Sequence, residues 1–111
     1  MSKLISLSEE GHAYDWFAGS FLFGWVVEFL RARVDDEEVR ERMRWDALSG
    51  YLFVAALPEP ARGQVFQALR EELVAAVDAD LYAPPLDVSS NEHVFAARVK
   101  RLASMAEAVA G

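Results

Sequence analysis

The sequence predicts an all-α protein, a compact four-helix bundle whose first helix is largely apolar and central. We find no run of alternating apolar and polar residues bounded by hairpin turns, which is the pattern typical of strands. Helix start and stop signals, by contrast, recur along the chain. At 111 residues the chain is long enough to bury one core. We therefore expect a single helical domain over residues 1–111.

The first predicted helix spans about residues 9–34 and begins after Ser8. Glu9 and Glu10 then lie in its first turn, where the positive end of a helix attracts negative charge. Further along, the stretch SFLFGWVVEFL carries one hydroxyl and one carboxylate as its only polar side-chain groups. A helix with so little polar surface needs protein on more than one side, so we place it at the centre of the bundle.

The side of this helix turned away from the core face is also apolar. On a wheel at 100° per residue, that side carries three aromatic rings, a glycine and one acid. A buried carboxylate is costly unless it is paired, and Arg31, one turn later, is the nearest base. Two interpretations stay open: the other helices wrap this side and the acid forms an internal ion pair, or the side binds a partner through aromatic anchors. The residues concerned are Phe17, Phe21, Gly24, Trp25 and Glu28.

The second predicted helix spans about residues 36–57. Asp35 opens it, with Glu38 three residues later in a capping-box arrangement. Its first half carries opposite charges at i, i+3 and i, i+4 spacing, which is typical of a solvated face. Its second half, ALSGYLFVAAL, is apolar nearly all round, so we expect it to lie deep in the bundle.

Two further helices are predicted, over residues 60–80 and 91–110, and a proline-rich connection joins them at 82–90. The prolines of LPEP end the second helix and suit the first turn of the third. Ser89 and Glu92 form a capping box that opens the fourth. The apolar stripes of the two helices, which we expect to be core, are Phe66, Leu69, Leu73 and Val77, and Phe95, Val99, Leu102, Ala106 and Val109.

Charge and composition narrow the classes of partner. The chain has 18 acidic and 11 basic residues and a net charge of −7, all of it in residues 1–80. Such a chain is repelled by nucleic-acid phosphates and by anionic lipid, and is attracted to basic protein surfaces. Its longest apolar run, from Trp16 to Leu30, is shorter than the roughly 20 residues that a membrane helix needs. We expect a cytoplasmic protein that binds neither nucleic acid nor membrane.

The side chains that carry catalysis are sparse. Cysteine is absent, which excludes disulfides and thiolate metal sites. Glu9 and His12 form one E-x-x-H pair, whereas a di-iron bundle needs two. Neither His12 nor His93 has a neighbouring pattern of metal ligands, and no phosphate-binding or nucleophile motif is found. We therefore expect no enzyme activity, no cofactor and no metal site.

The stretch EEVRE resembles E-E-x-x-E, one half of the signature of the all-α nucleotide pyrophosphohydrolases. The resemblance implies magnesium ligands at Glu37, Glu38 and Glu41. The second half of that signature, E-x-x-D on another helix, is not found after Glu41, which leaves a hard cation without half of its oxygen ligands. A metal-dependent phosphohydrolase is therefore the second alternative function.

The first hypothesis is a non-enzymatic inhibitor that masks a basic surface of a larger protein, in the manner of a toxin-immunity protein or a phage anti-defence protein. Acidic side chains steer such a protein onto a positive surface, and the aromatic side of the first helix then holds it. The first alternative is a structural or regulatory bundle that forms a homodimer through that same side. The acidic residues assigned to partner binding are Asp35, Asp36, Glu37, Glu38 and Glu41.

Overall fold

The computed structural model describes residues 3–8, 14–80 and 90–110. They form a mixed α/β fold, so the predicted all-α four-helix bundle is wrong. The elements, in chain order, are β1 (Lys3–Ser6), β2 (Asp15–Ala18), α1 (Ser20–Arg31), α2 (Glu37–Ser49), β3 (Tyr51–Phe53), a short 3₁₀ helix (Val54–Ala56), α3 (Ala61–Glu71), α4 (Leu73–Asp80) and α5 (Ser90–Ala110). No helix formed by these residues has the length and apolar character needed to cross a bilayer.

The three strands form one sheet in the order β2-β1-β3, with β1 at its centre. β1 pairs antiparallel with β2 and parallel with β3, so that Leu4 lies opposite both Phe17 and Tyr51. Since side chains alternate between the two faces of a sheet, these three residues share one face. Ile5, Trp16 and Leu52 share the other.

All the helices lie on the face of the sheet that Ile5, Trp16 and Leu52 occupy. These three side chains belong to one buried cluster together with residues of every helix, among them Val26 of α1 and Leu102 of α5. The opposite face, which we call the outer sheet face, carries exposed aromatic rings. Residues 3–8, 14–80 and 90–110 therefore form two layers, with their helices on one side of the sheet.

The first predicted helix, over 9–34, is wrong because its beginning forms a strand. In β2, Trp16 and Ala18 are buried and Phe17 between them is exposed, which is the alternation of a strand and not of a helix. Gly19 then has an extended backbone, with φ −71° and ψ 170°, and α1 begins only at Ser20. The proposed start at Glu9 and Glu10 lies outside the described residues.

The second predicted helix, over 36–57, is also wrong in its second half. Its start is capped by Asp36, and not by Asp35, since the Asp36 carboxylate accepts from the backbone N–H groups of Glu38 and Val39 at 2.9 and 3.2 Å. Its end comes at Gly50, where φ is +91°, a conformation that glycine adopts without strain. The chain then enters β3 instead of continuing as a buried helix.

The remaining two helical predictions correspond to three helices. Residues 60–80 form α3 and α4, which are separated at Glu72. Before α3, the Glu59 carboxylate accepts from the backbone N–H of Gly63 at 2.8 Å. That hydrogen bond, with a smaller contribution from Arg62, lowers the pKa of Glu59. Residues 82–89 of the predicted proline-rich connection, with the capping residue Ser89, lie outside the described part of the chain, and Ser90, predicted as its last residue, begins α5.

Candidate functional site

The side of α2 turned away from the core runs directly into the exposed side chains of β3. In α2 the buried residues are Val39 and Met43, and at 100° per residue the opposite side carries glutamates in the first two turns and apolar residues in the last two. We call this region, with the exposed rings of β3, the α2–β3 surface. Its members are Glu37, Glu38, Glu41, Trp45, Leu48, Tyr51 and Phe53, all of them exposed.

The acidic part of the surface consists of three of the five acids predicted from the sequence. Asp36 caps α2, and the Asp35 carboxylate accepts from the Gln64 side-chain amide at 3.0 Å, so these two acids hold the helix start in place. Glu37 and Glu38 form no ion pair with any described residue. Glu41 lies 3.9 Å from the Arg44 guanidinium, with both side chains at least half exposed. Glu37 and Glu38 are therefore available to a base from outside, whereas Glu41 already has Arg44 beside it.

The apolar part begins one turn further along the same side of α2. Trp45 and Leu48 are 66% and 68% exposed, and beyond Gly50 the rings of Tyr51 and Phe53 are 52% and 49% exposed. The two β3 rings stack on each other, with centroids 6.4 Å apart and planes 10° from parallel. Large apolar groups this exposed and this close in sequence are characteristic of a binding surface.

β3 also offers backbone hydrogen-bonding groups. In the parallel pair with β1, Leu4 N–H donates to the Gly50 carbonyl at 2.9 Å, which directs the N–H and C=O of Leu52 toward β1 as well. The N–H and C=O of Tyr51 and the N–H of Phe53 therefore point away from the sheet. Within the described chain, no residue pairs with these three groups.

A second candidate region, which we call the α1 groove, lies along the outward side of α1. It is an open groove of about 600 Å³. Trp25 stacks on Phe29 with ring centroids 5.8 Å apart, and the Arg33 guanidinium lies over the Phe29 ring, 3.6 Å from its centroid. The lining residues are Phe21, Gly24, Trp25, Glu28, Phe29 and Arg33, with Ala76 of α4.

The charges of the α1 groove are paired within the chain. Arg31 donates to both oxygens of the exposed Glu28 carboxylate, at 2.8 and 3.0 Å. Arg33 donates to Glu72 at 3.2 Å. Glu28 is thus neither buried nor without a base, and it is the one acid among the described residues that line the groove. Its most exposed ring is that of Phe21, at 64%.

The structure divides the predicted partner-binding residues among three places. Phe21, Gly24, Trp25 and Glu28 line the α1 groove. The glutamates lie on α2, where Asp35 and Asp36 serve the helix start. Phe17 belongs to neither region, since it lies on β2 and points to the outer sheet face.

Four residues of the α2–β3 surface were not predicted. Three lie in the stretch that was interpreted as a buried helix, and the fourth, Trp45, lies just before it, in the half that was interpreted as a solvated charged face. The signal that identifies the two β3 residues is present in the sequence. Gly50 ends the helix, and after it Tyr51 and Phe53 alternate with the apolar residues that point into the core. The missed residues are Trp45, Leu48, Tyr51 and Phe53.

Among the described residues, no three acidic or histidine side chains group in a way that would hold a metal ion, and this includes Glu37, Glu38 and Glu41. The Glu9–His12 pair lies outside the described residues.

Comparison with known proteins adds no family to these observations. No protein-family model matches the chain, and neither a curated protein nor a solved structure matches it.

Proposed function

We propose that this chain is a small, acidic, non-enzymatic protein-binding module that masks a basic surface of a larger protein. The observation that carries this proposal is the α2–β3 surface, on which three exposed glutamates precede four exposed apolar residues along one continuous segment. We place the protein in the cytoplasm, where a chain without cysteine is expected.

Binding then has two stages. The net charge of −7 and the glutamates of α2 speed the encounter with a positive surface and orient the two proteins. The rings of Trp45, Tyr51 and Phe53 then lose water against the partner and supply most of the lasting affinity, as aromatic anchors do at interfaces. The partner loses function because its own basic surface is covered.

The α1 groove is less suited to a basic partner than the α2–β3 surface. Its lining acid, Glu28, already faces Arg31, and a new cation would have to displace that arginine. The glutamates at positions 37 and 38 have no such competitor among the described residues. Charge therefore favours α2 over α1 as the contact.

The test is capture of a partner from a lysate of the native host, followed by affinity measurement with the purified partner. We expect a basic protein to be retained by the wild-type chain. Trp45→Ala is expected to raise Kd by about 30-fold, corresponding to a hot-spot loss of about 2 kcal/mol. Phe21→Ala is the matched control, because Phe21 is equally exposed but lies in the α1 groove.

A second variant tests the electrostatic stage. Changing Glu37, Glu38 and Glu41 together to Gln is expected to slow association, and to weaken its dependence on salt, while dissociation changes little. The proposal is wrong if the captured protein is acidic, or if it binds the Trp45 and Gln variants as tightly as it binds wild type.

Self-association through the α1 groove is the second candidate function, and the exposed Phe21 ring beside an open groove favours it. It predicts a dimer whose fraction rises with protein concentration in light scattering. Phe21→Arg should then give monomers, whereas Trp45→Arg should leave the dimer intact.

A further inference from the structure

We infer that the basic partner of the α2–β3 surface contributes an extended segment that adds to β3 as a fourth strand of the sheet. This inference rests on the proposed function and specifies the form of the partner at that site. Strand addition at a free edge is a recurring mode of peptide recognition, in which backbone hydrogen bonds supply affinity and alternate side chains supply specificity.

The backbone of β3 is prepared for such an addition. Tyr51 offers a donor and an acceptor, and Phe53 offers a donor, on the side away from β1. An edge strand with unpaired groups is a template for another strand unless a helix or loop covers it. Among the described residues nothing covers these groups, although the opposite edge of the sheet is covered.

The side chains of β3 indicate what the added strand carries. A strand paired with β3 lies about 4.8 Å away, and every second side chain of it stands on the outer sheet face. There it lies directly beside the stacked rings of Tyr51 and Phe53. Aromatic and β-branched residues form the most favourable cross-strand contacts with such rings, so the segment carries them at alternate positions.

The position of α2 explains why the segment is basic. Gly50 alone separates β3 from α2, so a segment that extends past Tyr51 reaches the end of that helix. Along α2 it then meets Leu48, Trp45 and Glu41, spaced about one helical turn, or roughly 5 Å, from one to the next. Lysine or arginine residues at that end of the segment therefore face the glutamates.

Charge also distinguishes this occupant from a second copy of the chain. A second copy carries the same net charge of −7 and is repelled at low ionic strength. A basic segment is attracted under the same conditions. The structure therefore favours a foreign basic strand over a β3–β3 dimer.

The test uses two synthetic peptides of alternating valine and threonine, one with three lysines at its N-terminus and the other with them at its C-terminus, so that both strand directions are covered. Amide hydrogen exchange is followed by NMR on the wild-type chain. At a peptide concentration of about ten times Kd, exchange at Tyr51 and Phe53 should slow about tenfold, since only unbound protein exposes those groups. Exchange at Leu52, whose N–H already points to β1, should not change.

Phe53→Pro provides an independent check. Proline removes an N–H that points away from the sheet, which an edge strand tolerates, and should raise Kd for the bound peptide about tenfold. Phe17→Ala is the control: Phe17 shares the outer sheet face but lies two strands, or about 10 Å, from β3, and its loss should leave Kd unchanged. The exchange measurement needs no variant, so the inference stays testable if the proline variant does not fold.

Three results would overturn the inference. The first is that neither peptide binds saturably up to about 1 mM. The second is that a peptide binds but the amides of Tyr51 and Phe53 exchange as before. The third is that concentrated protein without peptide protects these two amides, which would make the occupant a second copy. The proposed function fails on a different result, namely that no basic protein is captured in a way that depends on Trp45. If such a protein is captured but Tyr51 and Phe53 are not protected from exchange, only strand addition is overturned.

Discussion

β2 and β3 flank the same central strand, yet α5 covers only the edge of β2 in the described structure. The Trp16 indole N–H donates to the backbone carbonyl of Arg98 at 2.9 Å. The Arg98 guanidinium in turn donates to the backbone carbonyl of Phe17 at 3.4 Å. Among the residues that the structure describes, no helix makes comparable contacts with the outward groups of Tyr51 and Phe53.

Among the described residues, the chain itself covers the edge of β2, whereas the edge of β3 is open to another chain. A bare edge strand invites pairing with other chains, and proteins commonly cover it or interrupt it. Here one edge is closed by residues more than 80 positions away in sequence. The other retains its unpaired groups, its exposed rings and a neighbouring row of glutamates. Retaining all three features on one edge is expected where binding takes place.

The largest expected effect comes from removing the residue that anchors the covered edge. Trp16→Ala deletes a buried indole and its hydrogen bond to the Arg98 carbonyl, so the free energy of unfolding should fall by about 3–5 kcal/mol. Urea denaturation followed by circular dichroism measures it. Trp45→Ala is the matched control, since that indole is exposed, and a change within about 0.5 kcal/mol is expected. Equal losses of unfolding free energy in the two variants would show that Trp16 and Trp45 do not differ in burial.

The second prediction compares neighbouring residues of the open edge. Leu52→Ala should lower the free energy of unfolding by about 2–5 kcal/mol, because its side chain is fully buried in the core. Phe53→Ala should cost less than about 1 kcal/mol, although it removes more atoms, because half of that ring is in water. The same denaturation assay applies. A larger loss for Phe53 than for Leu52 would place the ring in the core and remove it from the α2–β3 surface.

The contrast between the two edges also explains which parts of the fold the sequence predicts. Helical spacing identifies core residues where an element is long: in the last two predicted stripes, Leu69, Leu73, Val77, Val99, Leu102 and Ala106 are fully buried. The strands have only three or four residues each, which is too short for an alternating pattern to stand out. The residues next to these strands in sequence are apolar as well, so the pattern predicts that the strands are parts of helices.

Long-range pairing is the second reason that the sheet was missed. β1 and β3 are brought together by the contact of Leu4 with Tyr51, and no local pattern encodes such a pair. The candidate site was affected in the same way. The glutamates of α2 follow from local charge and capping signals, whereas the exposure of Tyr51 and Phe53 depends on β3, which the sequence did not predict.

The third prediction concerns the turn that brings β3 to the sheet. Gly50→Ala should lower the free energy of unfolding by about 1–2 kcal/mol, because φ is +91° there and an L-residue is strained in that conformation. An added Cβ would meet Lys3 Cγ at 3.6 Å, an ordinary contact, so strain and not collision sets the effect.

Gly19→Ala is the control for that prediction. Gly19 has a negative φ and nothing within 4 Å of the added Cβ, so a change within about 0.5 kcal/mol is expected. Equal effects at Gly19 and Gly50 would show that the left-handed conformation is not what directs the chain from α2 into β3.

The smallest expected effect is that of Arg98→Ala, within about 0.5 kcal/mol. The side chain is exposed, and its hydrogen bond to Phe17 is long at 3.4 Å, so water replaces it at little cost. The contact with Trp16 uses the backbone carbonyl of residue 98 and survives the substitution. Arg101→Ala, on the same exposed side of α5, is the control. A loss above about 2 kcal/mol at Arg98 alone would mean that its guanidinium, and not the buried indole, closes the edge of β2.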